Sequence, residues 1–73
     1  MRMYLKEMRL KKGESQRSIA KKAGIGQTYY GYIENGERQR DISLDLLQKL
    51  SQALEVPLND LIQKELEYKQ NLS

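Results

Sequence analysis

Twenty residues, Gln16 to Asn35 (QRSIAKKAGIGQTYYGYIEN), restrict the fold more than any other stretch of the chain. As two short helices crossing steeply around a turn, they need a small residue where the helices touch, a sharp reversal between them, and apolar side chains inside. Ala20 is the small residue. Gly24 supplies the reversal, because glycine enters the left-handed region without a Cβ clash. Ile19, Ala23, Ile25, Tyr30 and Ile33 occupy the inward positions. Each position answers a separate steric demand, which makes the pattern far more specific than a lone glycine motif.

The rest of the chain follows the same helical period, and no stretch alternates long enough to argue for a strand. The spacing predicts an all-α chain of five helices. Leu5, Met8 and Tyr4 mark one face of a first helix that stops near Gly13. Ser15 is the expected N-cap of a second helix, Gln16 to Ala23. A third runs from Gln27 to Glu34 and is closed by Asn35-Gly36, and ERQRD is a polar loop. A fourth follows the cap candidate Ser43 and is expected to bury Leu44, Leu47, Leu50 and Leu54. Pro57 opens a fifth with Leu58, Leu61, Ile62 and Leu66 on one face. One domain, 1–68, is expected, with 69–73 a frayed tail in the closing segment EYKQNLS.

At 73 residues the chain needs every apolar side chain it has for its core. Without cysteine or histidine it lacks the usual transition-metal ligands, and no cofactor is expected. No apolar run approaches the roughly 18 residues of a membrane span, so a cytoplasmic protein is expected. Charge is divided: residues 1–40 carry ten Lys or Arg against four Asp or Glu, whereas residues 41–73 carry three against six. A basic half of this kind suits a polyanion, although a solvated surface without a partner has the same signature.

With these residues in view, the chain resembles the phage repressor and Cro type of helix-turn-helix, also called the xenobiotic-response-element family. The likeness runs from about Tyr4 to Ile62 and is carried by LKEMRLKKGESQ, IAKKAGI, YIENGER and SLDLLQKLSQALEVPLNDL. It implies a five-helix, lambda-repressor-like DNA-binding domain whose third helix enters the major groove. It further implies that Gln16 and Asn35 contact phosphates and that Arg9 and Glu34 form a structural ion pair. Glu14 stands where the family usually has an apolar residue, which implies a looser first loop.

A recognition helix offers its first turn and the outward residues one turn later to the bases. Here these are Gln27, Thr28, Gly31 and Tyr32. The Gln27 amide matches the N6 and N7 edge of adenine, or it bonds only water or phosphate. Thr28 has a hydroxyl and a methyl for the groove, or is an ordinary first-turn residue. Tyr29 is assigned to a phosphate and Tyr32 to a base or the groove wall, with packing the alternative for both. Tyr30 belongs to the core, its hydroxyl reaching the surface. Gly31 allows close approach to the bases or leaves room for neighbouring rings. Arg17, Arg38 and Arg40 suit phosphates, with a solvated loop the alternative for the last two, and Lys11, Lys12, Lys21 and Lys22 raise the general field.

The function expected is sequence-specific binding of double-stranded DNA by a small transcriptional regulator, a repressor acting as a homodimer on an inverted repeat. Leu58, Ile62, Leu66 and Tyr68 are the candidate pairing residues. The competing reading is a protein-interaction module, an antitoxin or antirepressor target, for which DNA is secondary. Regulation is expected through abundance, dimerisation or a protein partner, with no small-molecule ligand. An enzyme is not expected, because no nucleophile, base or metal cluster is assembled.

Overall fold

A computed structural model describes residues 1–37 and 41–71. Five helices follow in order: α1 (Met3–Lys11), α2 (Gln16–Ala23), α3 (Gln27–Asn35), α4 (Leu44–Leu54) and α5 (Leu58–Gln70). No strand occurs among the described residues, and no described helix is long and apolar enough to cross a membrane. Helix α2 packs on both α3 and α4, α4 packs on α5, and α1 lies against α3. The core between them is built on Leu5, Ile19, Tyr30, Ile33, Leu50 and Leu61, none of which has exposed surface.

Local chemistry explains where the helices begin and end. Ser15 and Ser43 are extended, and their hydroxyls accept from Ser18 N and Leu46 N, each at 3.0 Å. Each thereby satisfies one of the amides that a helix start leaves without a partner. Gly24 closes α2 at φ +73°, and Ile25 N donates back to the Ala20 carbonyl at 3.0 Å. Helix α4 ends differently, in Glu55 at φ 57°, the single described non-glycine residue with positive φ. That conformation costs roughly 1–2 kcal/mol. Lys12 donates to the Glu55 carboxylate at 2.6 Å, tying the end of α1 to the end of α4.

Four expectations are corrected. Leu44 is 62% exposed, and Leu46 takes its place in the core. The buried face of α4 centres on Leu46, Leu50 and Leu54, and Leu44 lies roughly a third of a turn away from that centre. Leu66 is 56% exposed for the same geometric reason, the inward face of α5 being defined by Leu61 and Glu65. The segment EYKQNLS is helical through Gln70: Lys69 reaches Asp41 at 2.5 Å, and the Tyr68 ring covers the Arg2 guanidinium, 4.7 Å from its centroid. Leu72 and Ser73 lie outside the described residues. The first loop is not loose either, because Glu14 accepts from Ser18 and Lys22 while its carbonyl accepts from Arg9 Nη1 at 2.9 Å.

The polar centre of the fold is Glu34 on α3. Arg9 of α1 forks onto its carboxylate through Nε (2.9 Å) and Nη2 (3.0 Å), and Gln16 Nε2 of α2 donates to it at 3.0 Å. Arg9 and Glu34 are both buried. Burial would push the Glu34 carboxyl up, but the Arg9 and Gln16 hydrogen bonds and the Arg9 charge hold it below the usual carboxylate range. Removing one partner of such a pair strands the other in the interior. Arg9→Met should therefore cost about 3–5 kcal/mol in urea unfolding.

A depressed folded pKa also fixes the sign of the acid response. The stabilisation is complete above the unfolded pKa of Glu34 and is lost as pH falls through the folded one. Glu34→Gln should lower stability at neutral pH and flatten its decline on acidification. Glu14 and Glu55, whose carboxyls lysine hydrogen bonds also hold low, contribute to the decline that remains.

Candidate nucleic-acid interface

The α2–α3 unit leaves one side of α3 outward by construction. Tyr30, Ile33 and Glu34 are its buried residues, so Gln27, Thr28, Tyr29 and Asn35 are exposed and Gly31 and Tyr32 are half-buried. The helix starts at Gly26, whose extended backbone provides no side-chain cap, and its first turn contains no acidic residue. The amides that open α3 consequently meet no carboxylate there, leaving the positive end of the helix dipole beside Gln27 and Thr28.

The residues assigned from sequence divide into three groups. Gln27, Thr28, Tyr29 and Tyr32 share α3, with Asn35 as its final residue and Arg17 exposed in the first turn of α2. Arg9 and Glu34 lie beneath them in the interior. Arg38 and Arg40 lie outside the described residues. Gln16 stands between these groups: it is half-buried, and its amide nitrogen is engaged by Glu34. Two members of the expected basic field are already matched to acids, Lys12 to Glu55 and Lys22 to Glu14.

Tyr30 departs from expectation. Its hydroxyl does not reach the surface; the residue is wholly buried, and the oxygen has no hydrogen-bond partner. Burial and the adjoining Glu34 carboxylate, which acts on the hydroxyl both as an acceptor at close range and as a charge, push the phenol well above its ordinary value. A buried hydroxyl without a partner costs about 1–3 kcal/mol. Tyr30→Phe should accordingly change thermal stability by no more than about 1 kcal/mol.

Gly31 has a defined surrounding. Apart from its chain neighbours, a β-carbon there would meet one side-chain atom, Gln16 Oε1, at an ordinary contact distance of 3.7 Å. Its backbone is helical, so alanine fits without strain. Gly31→Ala should stabilise the fold by about 1 kcal/mol in chemical denaturation. Reduced operator affinity in that more stable variant would mark Gly31 as a point of close approach to DNA; unchanged affinity would reject that role.

Sequence inspection missed a second polar cluster, in which Arg2 joins Glu65, Tyr4, Tyr68 and the last turn of α3. Its one legible sign is Glu65, a carboxylate one turn after Leu61 on the inward face of α5. Nothing in the sequence identifies Arg2 as its partner.

A helix with an uncharged outward side, held from beneath by a buried ion pair and joined to α2 by a tight turn, defines the class as an all-α helix-turn-helix domain. The chain belongs to the Helix-turn-helix family in its Cro/C1 form, whose model matches residues 5–61. This is a family of DNA-binding transcriptional regulators and not of enzymes. The chain is 50% identical over 42 residues to an uncharacterized HTH-type transcriptional regulator, YqaF, of Bacillus subtilis (strain 168). That similarity covers 58% of this chain and 55% of the relative, so it spans about half of the Bacillus protein. It is also 42% identical over 58 residues to the control protein C.MunI of a Mycoplasma species, covering 78% of this chain and 76% of that one.

Proposed function

We propose that the protein binds double-stranded DNA sequence-specifically as a homodimer and represses transcription from an inverted-repeat operator. The observation that carries this reading is the outward side of α3, where Gln27, Thr28 and Tyr29 are exposed above a buried Arg9–Glu34 pair. Gln27 reads adenine through two hydrogen bonds, and Thr28 offers a methyl to thymine. Arg17, Tyr29 and Asn35, with Arg38 and Arg40 after the helix, hold phosphates; Tyr32 lies along the groove wall. Gln16 reaches the backbone from the same side, its amide oriented by Glu34. Occupation of a promoter suffices to block it, so repression requires no further activity from the chain.

One reading helix offers too few base contacts for typical specific affinity, and a two-fold pair doubles them. Leu44 and Leu66 support a pairing surface. Both are more than half exposed, and the Lys69–Asp41 ion pair joins the segments three residues from each of them. The Bacillus relative is a transcriptional regulator by name and the Mycoplasma relative a control protein, which supports the regulatory part of this reading.

Selection of bound duplexes from a random pool should return an inverted repeat. Gln27→Ala should relax the preference at one symmetric pair of positions, by about 1–3 kcal/mol per half-site, while salt-sensitive binding to random DNA persists. Retention of the same bases at the same stringency would remove Gln27 from the reading surface. Leu66→Lys should convert the dimer to monomer in sedimentation equilibrium and weaken operator binding; a wild-type protein that stays monomeric on its operator would refute the two-fold arrangement.

A further inference from the structure

The Arg2 cluster, which the reading surface leaves unused, lies where α5 meets the end of α3. Arg2 is fully buried. Its Nε and Nη2 donate to the two Glu65 carboxylate oxygens at 2.8 and 3.0 Å. Its Nη1 donates to the Ile33 carbonyl and its backbone N–H to the Glu34 carbonyl, both at 2.7 Å. The Tyr4 hydroxyl donates to the same Glu65 carboxylate at 2.7 Å, and the Tyr68 ring covers the guanidinium. Gly36 completes the junction at φ +73°: a β-carbon there would collide with the Tyr68 hydroxyl. The last carbonyls of α3, which lack partners within the helix, are thus met by a cation at the end where the helix dipole favours one.

Stability alone is a weak reason for such a cluster, because well-packed apolar residues often replace a buried ion pair without loss. Its location suggests another. Arg2, Tyr4, Glu65 and Tyr68 all lie outside residues 5–61, whereas the groups they hold, at Ile33, Glu34 and Gly36, lie inside that segment at the end of the reading helix. Residues flanking the helix-turn-helix domain therefore act on the element that faces outward.

We propose that Arg2 is a positioning residue: with Glu65 and Tyr68 it clamps the end of α3 to α5 and sets the angle at which Gln27 and Thr28 meet base edges. The inference rests on the DNA-reading function proposed above. Because α5 also bears Leu66, the separation of the two reading helices in a dimer runs through the same clamp.

The test compares the duplex selected by the wild-type chain with a random duplex of equal length, at temperatures where circular dichroism shows each variant folded. Arg2→Lys keeps a positive charge but lacks the planar fork that holds two carboxylate oxygens and a carbonyl together. Tyr68→Leu removes the ring from the clamp and leaves both charges in place. Each variant should lose about five- to a hundredfold in affinity for the selected duplex, the range set by one misaligned base pairing. Affinity for the random duplex and its salt slope should not change, and the preferred half-site spacing should broaden. Equal losses on both duplexes, or none on either, would reduce Arg2 to a stabilising contact and overturn the proposal. A wild-type chain that selects no duplex would instead remove the DNA-reading function, and the clamp's role with it.

Discussion

Three helices close on one carboxylate. Glu34 belongs to α3, yet it is held by a guanidinium from α1 and an amide from α2. Arg9 uses a remaining donor on the Glu14 carbonyl, which extends the same network into the turn between α1 and α2. In a domain this small the apolar core is limited, so a buried charge demands that its partners be present and correctly oriented. The apolar contacts around Ile19, Tyr30 and Ile33 bring α2 and α3 together, and Glu34 selects the arrangement in which its hydrogen bonds are satisfied. The outward side of α3 is then presented by a scaffold fixed from beneath, as preorganised recognition requires.

Helix boundaries were legible because their causes are local. Ser15 and Ser43 stand immediately before their helices, and Gly24 and Gly36 take the left-handed conformation immediately after theirs. Side-chain placement around a helix was less legible: Leu44 and Leu66 continue apolar spacings but lie just beyond the packed arc, a distinction set by neighbouring helices. The spacing of Tyr30 places its ring in the core, but the burial of its hydroxyl depends on Arg9 and Glu34, which come from α1 and from one turn further along α3. Glu14 implies a looser first loop when taken alone, and only Ser18 and Lys22, one and two turns later, show how it is accommodated.

The residues of the candidate interface were legible in another sense. Gln27, Thr28 and Tyr29 are exposed because Tyr30, Ile33 and Glu34 are not, and that division follows from helical periodicity once the turn at Gly24 is recognised. The Arg2–Glu65 junction was hidden for the opposite reason. Its partners are 63 residues apart, and neither has a local pattern that announces the other.

Lys12 and Lys22 already have intramolecular counterions in Glu55 and Glu14. Cations neutralised in this way displace fewer counterions from a polyanion, so the basic half of the chain presents a weaker field than a tally of its lysines suggests.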